Sequence, residues 1–171
     1  MENKMKEFPK RKTMRLSTFD YNTPSAYFMT ICTHQRKRLL SEIKETSEGV
    51  KPELSRYGEI AYKQICKMNE LYEDMQVDKF VIMPNHIHFV LFVWPNGPSR
   101  TPVPTTPQNT AVSKYVSTFK RFTNKEIGLN IWQSRSYDHV IRSKEDYIGV
   151  CKYIKENPLY WQEDELYEKD N

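Results

Sequence analysis

The fold of this chain is decided by residues 81–93, which have the sequence VIMPNHIHFVLFV. Two apolar segments flank Pro84-Asn85, a pair of residue types typical of tight turns. The pattern therefore predicts two strands, residues 77–83 and 86–94, that pair as an antiparallel hairpin. The second strand is apolar almost throughout, apart from its histidines, which predicts that it is buried inside a sheet.

The two histidines of this strand, His86 and His88, are one residue apart. Because strand side chains alternate between the two faces of a sheet, both imidazoles should point the same way, with Cα atoms roughly 6.5 Å apart. One interpretation is that they share a divalent metal ion on a rigid scaffold. The other is that they are hydrogen-bonded or half-exposed histidines, since a His-x-His triplet alone is common.

The segments on either side of this hairpin predict the remaining strands and helices. Residues 26–33 are rich in β-branched and aromatic side chains, which predicts a first strand. Apolar residues recur at helical spacing in 53–75 and in 110–126, and residues 137–142 predict a last strand. The order predicts an α+β, ferredoxin-like (split βαβ) fold: a four-stranded antiparallel sheet with helices on one face, followed by a C-terminal helix.

The C-terminal helix begins at Ser143, a good N-cap, and is bounded by Pro158. Its apolar stripe is expected to meet the sheet and consists of Tyr147, Ile148, Cys151 and Ile154. Tyr153 lies about 140° from the centre of that stripe, and Asn157 follows one turn later. Both could face the side of the sheet to which the histidines point; alternatively, Tyr153 is a partly exposed aromatic that covers a loop.

Length and composition predict one domain spanning residues 1–171, with a basic N-terminal arm at 1–20 and a proline-rich loop at 95–110. The three cysteines lie far apart without a CxxC pair, which argues against a zinc knuckle, a redox motif or a secreted disulfide framework. The longest apolar run is far shorter than the roughly 20 residues that span a bilayer. We therefore expect a cytoplasmic protein that is neither secreted nor embedded in a membrane.

Positive charge is concentrated near the start of the chain. The net charge is +4, but residues 1–38 contain nine Lys or Arg and three acidic residues. Interleaved aromatics make this arm a candidate for tracking phosphates, although an ordinary solvated terminus has the same composition. The candidate DNA contacts are Lys10, Arg11, Lys12 and Arg15 in the arm, Lys114, Lys120 and Arg121 on the second helix, and Trp132. Helix-surface charge and a core indole are the alternatives for the second helix and for Trp132.

Several short motifs occur in an order that carries a family resemblance. They are MPNHIH at 83–88, IWQ at 131–133, YDHVIR at 137–142 and YIKENP at 153–158, preceded by DY at 20–21, AYF at 26–28 and TICTH at 30–34. In order and spacing this set resembles the REP-associated tyrosine transposases. These are relatives of the small insertion-sequence transposases that act on single-stranded DNA, within the HUH endonucleases.

The resemblance implies a role for each matching residue. His86 and His88 would bind a divalent metal ion, Mg²⁺ or Mn²⁺, and Asn157 would complete its site. Tyr153 would be the nucleophile, cleaving single-stranded DNA near hairpin-forming palindromes and rejoining it through a 5′-phosphotyrosine. A phenol, with a pKa of about 10, is a weak nucleophile at neutral pH, so the metal would have to polarise the phosphate. An Asn followed by Pro158, where the insertion-sequence branch more often has Gln, favours the REP-associated branch.

Alternatives remain open at this stage. One is a catalytically silent protein that binds hairpin DNA and descends from such a transposase; an RNA-recognition module is disfavoured because the strands lack its paired stacking aromatics. Membership of the REP-associated branch would favour a monomer over a homodimer. We also expect the protein to associate with the bacterial nucleoid. His139 is a possible further metal ligand, and Gln133, Asp138 and Arg142 have no assigned role.

Overall fold

The structure is a computed structural model that describes residues 25–94 and 110–168. The basic arm, including Lys10, Arg11, Lys12 and Arg15, and all of the proline-rich loop except Thr110 lie outside the described residues. The strands are β1 (Ser25–Cys32), β2 (Ser41–Thr46), β3 (Gly49–Leu54), β4 (Met75–Ile82), β5 (His86–Val93) and β6 (Tyr137–Ile141). The helices are α1 (Arg56–Leu71), α2 (Ala111–Ile127) and α3 (Lys144–Glu156).

The main sheet has four antiparallel strands in the order β4-β5-β1-β6. Strands β1 and β4 both run antiparallel to β5, which lies between them, so the split βαβ prediction is confirmed. The hairpin predicted around Pro84-Asn85 is the β4–β5 pair. In the central register, His86 lies opposite Cys32 and His88 lies opposite Thr30. Both histidines are therefore held by an interior strand.

Helices α1 and α2 cover one face of this sheet and close a continuous apolar core. Helix α1 is capped by Ser55, whose Oγ accepts hydrogen bonds from the backbone N–H groups of Tyr57 and Gly58. Gly58 lies where the helix passes over the backbone of Leu40: a Cβ at this position would be 2.0 Å from the Leu40 carbonyl oxygen. None of the helices in the described residues has the length and apolar composition needed to cross a membrane.

A second, two-stranded sheet, β2–β3, was not predicted from the sequence. Its strands, SEIKET and GVKPEL, have five charged residues among their twelve, and only Ser41 is buried. β2 has a single apolar side chain, Ile43, and the alternating positions of β3 include Pro52, a residue that argues against a strand. The helix predicted over residues 53–75 starts too early: residues 53 and 54 belong to β3, and α1 begins at Arg56.

Helix α3 packs on the opposite face of the main sheet, where Val150 and Ile154 contact a small apolar cluster. The predicted stripe is wrong in part, because Ile148 is 55% exposed whereas Val150 is buried. Two contacts at the start of the helix set this rotation. The Tyr147 hydroxyl donates to Asp78 of β4 at 2.5 Å, and His139 of β6 lies 3.0 Å from the Asp146 carboxylate. Tyr153 is consequently turned toward the sheet.

Candidate active site

The two histidines lie at the start of β5, on the face covered by α3. Both are completely buried, and their ring centroids are 4.3 Å apart. The next residues on the same side of β5 are apolar and pack against α3, so the polar site adjoins the small apolar cluster. The strand alternation predicted from the sequence thus brings both imidazoles into one pocket.

Hydrogen bonds define which nitrogen of His86 is available as a ligand atom. The Asn85 amide Nδ2 donates to the Leu166 carbonyl oxygen at 2.8 Å, which assigns Oδ1 as the acceptor for His86 Nδ1, also at 2.8 Å. His86 Nδ1 must then carry the proton, and the lone pair lies on Nε2. An acceptor bound to the ring nitrogen that does not face the metal is the usual way in which proteins orient a metal-binding histidine.

His88 is oriented by β1 on one side and meets the predicted nucleophile on the other. Its Nδ1 lies 2.8 Å from the Thr30 hydroxyl oxygen, and its Nε2 lies 3.4 Å from the Tyr153 hydroxyl oxygen. The Tyr153 ring is half-buried and packs edge-on against Phe28, with ring centroids 5.9 Å apart. The structure therefore brings together the three residues that the sequence singled out on β5 and α3.

A carboxylate that the sequence reasoning missed completes this cluster. Asp164 offers an oxygen that lies, with one nitrogen each of His86 and His88, in a set of ligand atoms all within 4.8 Å of one another. The same carboxylate accepts hydrogen bonds from the Tyr153 hydroxyl at 3.1 Å and from the Leu166 backbone N–H at 2.7 Å. It follows Pro158 in an irregular segment, where no periodicity in the sequence signals its position.

Asn157, the predicted third ligand, is also in the site. It is 3% exposed, and its Nδ2 donates to Asp164 at 2.7 Å. Its Oδ1 is buried and has no hydrogen-bond partner among the described residues. A buried amide oxygen without a partner is costly unless a ligand satisfies it. This atom therefore fits the role of a cation ligand.

The donor set as a whole suits a divalent cation. Two imidazole nitrogens, from His86 and His88, lie close to an Asp164 carboxylate oxygen. The buried Asn157 amide, which is hydrogen-bonded to that carboxylate, would add a second oxygen donor. Mixed nitrogen and oxygen donors suit Mn²⁺, whereas Mg²⁺ prefers oxygen ligands. On chemistry alone Mn²⁺ is the better match of the two predicted ions.

The segment that carries Asp164 contacts both the β4–β5 turn and the residues just before β2. Besides the Asn85–Leu166 hydrogen bond, the Arg38 guanidinium lies 4.9 Å from the Tyr167 ring centroid and donates to the Glu168 carbonyl oxygen. Leu166 is 1% exposed. These contacts hold the carboxylate at the mouth of the histidine pocket.

Of the three candidate DNA contacts on α2, two line one groove and the third does not. Lys120 and Arg121 line a groove of about 960 Å³, together with Lys125 and His34, which we call the α2 groove. Among the residues that the structure describes, this lining contains no carboxylate. The exposed Lys114 does not line the groove. Cationic linings of this kind favour phosphate binding.

Two of these candidates are not free surface groups. The Lys120 amine donates to the carbonyl oxygens of Gln133 and Ser134 at 2.8 and 3.3 Å, and burial lowers its pKa to about 8. Lys120 is therefore half-buried and held by backbone carbonyl oxygens, and is not simply a charge on the helix surface. Trp132 is 4% exposed, and its Nε1 donates to Thr123 Oγ1, so it is a core indole and not an exposed stacking platform.

Three further residues of the matching motifs, His139, Arg142 and Gln133, make contacts that hold neighbouring elements together. His139 is bound to Asp146, at the first turn of α3, which argues against a role as a metal ligand. The backbone N–H of Arg142 donates to the same carboxylate. The backbone N–H of Gln133 donates to the carbonyl oxygen of Cys32, fixing the IWQ segment against the end of β1.

Comparisons with known proteins agree with this architecture. No family model matches the chain. An uncharacterized protein of Haemophilus influenzae is 28% identical over 172 residues, covering 92% of this chain and 93% of the relative. A REP-associated tyrosine transposase, solved bound to a REP hairpin, superposes with a TM-score of 0.60 at 22% identity, covering 86% of this chain and 74% of that chain. This chain has the fold of that transposase.

The resemblance suggested by the motifs is thus confirmed at the level of the fold. A candidate transposase of Deinococcus radiodurans, at 15% identity, covers 84% of this chain and 95% of its own, but its TM-score of 0.43 is too low to support an argument.

Proposed function

We propose that this protein is a metal-dependent, single-strand DNA endonuclease and transposase that cleaves and rejoins DNA near hairpin-forming palindromes. The observation that carries the proposal is the position of the Tyr153 hydroxyl, 3.4 Å from His88 Nε2 and 3.1 Å from Asp164. A nucleophilic side chain beside a cluster of metal-ligand atoms is the arrangement that phosphoryl transfer requires.

In the proposed reaction, the Tyr153 oxygen attacks the scissile phosphate. A bond forms between this oxygen and phosphorus, the bond to the 3′ oxygen breaks, and the products are a 5′-phosphotyrosine and a free 3′-OH. The phosphoester is retained on the protein, so the 3′-OH of another strand can reverse the step and join DNA without a nucleotide cofactor. A divalent ion, when bound by His86, His88, Asp164 and Asn157, would polarise the phosphate and stabilise the added negative charge.

The protein's own groups prepare the nucleophile. Tyr153 is fixed by its packing on Phe28 and by the hydrogen bond to Asp164, so its hydroxyl is held at the pocket before substrate arrives. Holding a reacting group in place lowers the entropic part of the barrier. Thr30 and Asn85 keep the two imidazoles in the orientation that a shared ion needs.

Hairpin DNA is the proposed substrate. The fold is that of a transposase solved with a REP hairpin, and the α2 groove offers the exposed Arg121 and Lys125 without a carboxylate in its described lining. The backbone phosphates of a duplex stem suit such a surface. Action as a monomer, within one domain, and association with the nucleoid remain predictions.

The test is a covalent adduct on a denaturing gel, formed with a labelled single-stranded DNA that carries a hairpin, in the presence of Mn²⁺ or Mg²⁺. Tyr153→Phe should abolish the adduct, and His86→Ala should do so separately. Tyr160→Phe, a nearby tyrosine outside the site, serves as the matched control and should leave the adduct unchanged. Hairpin binding without an adduct in either metal would contradict the enzymatic proposal and support the catalytically silent hairpin-binding alternative.

A further inference from the structure

The Lys120 amine on α2 is committed to the protein's own backbone. It donates to the carbonyl oxygens of three successive residues, Gln133, Ser134 and Arg135, at 2.8, 3.3 and 3.1 Å. An ammonium group has three N–H donors and no acceptor, so these carbonyls use its full donor capacity. Although Lys120 lines the α2 groove, it has no N–H left for a direct hydrogen bond to a phosphate oxygen.

The charge of this amine is not offset by a carboxylate of the groove, because the described lining contains none. The Lys120 amine meets only the negative ends of three peptide dipoles. Burial lowers its pKa to about 8, because the charged form is poorly solvated at this position. An anion bound close to the amine would therefore stabilise its charged form.

The turn that Lys120 holds, residues 133–135, has its carbonyl groups directed at the amine. In a trans peptide the C=O and the following N–H point in opposite directions, so the N–H groups of Ser134 and Arg135 point away from Lys120. Neither N–H donates a hydrogen bond to another described residue. Both residues are exposed, so the two donors are available to a ligand. Backbone N–H groups of successive residues are a common means of binding anions.

Side-chain cations accompany these backbone donors. Arg135 is exposed, and its guanidinium forms no ion pair with any residue that the structure describes. The exposed Arg121 and Lys125 line the α2 groove together with Ser134. A phosphate on the outer side of the turn would meet two N–H donors and a guanidinium, a donor group that matches phosphate geometry. The charge of Lys120 would lie behind the same peptides.

We propose that Lys120 is a positioning residue of the α2 groove: it fixes the 133–135 turn so that the turn, and not Lys120 itself, binds a backbone phosphate of the hairpin stem. This role rests on the proposed function, which supplies the hairpin. The phosphate accepts hydrogen bonds from the N–H groups of Ser134 and Arg135 and pairs with the Arg135 guanidinium. A neutral Lys120 amine would have two N–H donors and one lone pair for three carbonyl oxygens, so one carbonyl would be repelled and the turn would loosen.

The test measures the affinity for a fluorescent DNA hairpin by anisotropy, with EDTA present so that no metal-dependent cleavage accompanies binding. Lys120→Met keeps the length of the side chain but removes the charge and its three donors, and should weaken hairpin binding by about tenfold. Arg135→Ala should weaken it to a similar extent. The double variant Lys120→Met/Arg135→Ala should lie within about twofold of the weaker single variant, because both substitutions disable the same phosphate contact. Separate phosphate contacts would instead multiply to a loss of about a hundredfold.

A pH series tests the role of the Lys120 charge. The wild type should bind the hairpin about threefold more weakly at pH 9 than at pH 7, because the amine is protonated below its pKa of about 8 and loses the proton above it. Lys120→Met should show no such decrease. It retains the other titratable or charged groups around the amine: Cys32, His34, Arg121, Lys125 and Arg135. A decrease of the same size in Lys120→Met would assign the pH dependence to those groups and overturn the proposed role.

A matched control distinguishes the turn from general loss of positive charge. Lys67→Met removes an exposed lysine from α1, outside the α2 groove, and should keep the hairpin affinity within about twofold and the pH dependence of the wild type. Equal melting temperatures for the wild type and the variants would establish that the fold is intact. If Lys120→Met melts early, Lys120→Gln, which keeps two amide N–H donors, should show a smaller loss of affinity, again without pH dependence.

The outcomes separate this inference from the proposed function. Undiminished hairpin binding by Lys120→Met, or losses that multiply in the double variant, would overturn the positioning role while leaving adduct formation by Tyr153 untouched. Absence of hairpin binding by the wild type would overturn it as well. Failure of the wild type to form an adduct, with losses in the double variant that do not multiply, would refute the nuclease and retain the phosphate site at the turn.

Discussion

The two faces of the main sheet differ in what they bury. The face under α1 and α2 carries a continuous apolar core, in which Ile87 and Leu91 are completely buried and Phe89 is 3% exposed. The face under α3 carries a much smaller apolar cluster, and beside it a buried pocket of histidine, amide and carboxylate groups. One face stabilises the fold and the other leaves space for chemistry.

Strand β5 supplies both faces at once, because its side chains alternate. His88 and Phe89 are neighbours in the chain, yet one faces the pocket and the other the core. Alternate positions of a single strand therefore serve the apolar core and the candidate site. Substitutions at neighbouring positions should then change different properties.

The largest expected effect on stability is at Phe89. Phe89→Ala removes a ring from the core and should lower the free energy of unfolding by about 3–5 kcal/mol, as measured by urea denaturation with a chelator present. His88→Ala, one residue away, removes a ring that packs against Phe28 and is hydrogen-bonded to Thr30. It should cost less, about 1–2 kcal/mol, because burial of the polar imidazole carries a desolvation cost that burial of the phenyl ring does not. An equal decrease in the free energy of unfolding for both variants would contradict the difference between the two faces of the sheet.

The next effect concerns the metal. Mn²⁺ at about 100 times its dissociation constant should stabilise the wild type by about 2.7 kcal/mol, since it binds the folded chain. His88→Ala should lose this stabilisation, as followed by thermal unfolding at increasing Mn²⁺ concentration. His139→Ala is the matched control, because His139 is bound to Asp146 and should leave the Mn²⁺ effect intact.

The same titration tests the carboxylate that the sequence did not predict. Asp164→Asn preserves the shape of the side chain but removes its charge, so the Mn²⁺-dependent stabilisation should require higher Mn²⁺ concentrations than in the wild type. A wild-type chain that gains no stability from Mn²⁺, or an Asp164→Asn variant that gains as much at the same concentrations, would argue against the four-residue ligand set.

The last comparison, which ends on the smallest effect, concerns two helical glycines, one on each side of the sheet. Gly58→Ala should lower the free energy of unfolding by about 1–3 kcal/mol, because its methyl group would overlap the Leu40 carbonyl on the densely packed side. Gly149→Ala on α3 has nothing within 4 Å of the new methyl group and should raise it by about 0.5–1 kcal/mol. A loss at Gly149 as large as that at Gly58 would mean that α3 is packed as tightly as α1.

Much of the fold follows from local patterns in the sequence. The strands of the main sheet, the three helices and the cap at Ser143 are visible in residue spacing and end signals. The β2–β3 hairpin is not, since β2 has one apolar residue and the alternating positions of β3 include Pro52. The face of α3 was misjudged because contacts with Asp78 and His139 on other strands, and not hydrophobicity alone, set its rotation.

By itself, the sequence determined that His86 and His88 share one face of an interior strand. It also determined that Tyr153 and Asn157 are one turn apart on a helix. Both relations depend only on the repeat of a single element. The tertiary structure alone decided that these two pairs meet, that Asp164 joins them and that Trp132 belongs to the core. The physical reason is that such contacts link residues far apart in the chain, whose approach depends on how whole elements pack and on an irregular segment without any periodic pattern.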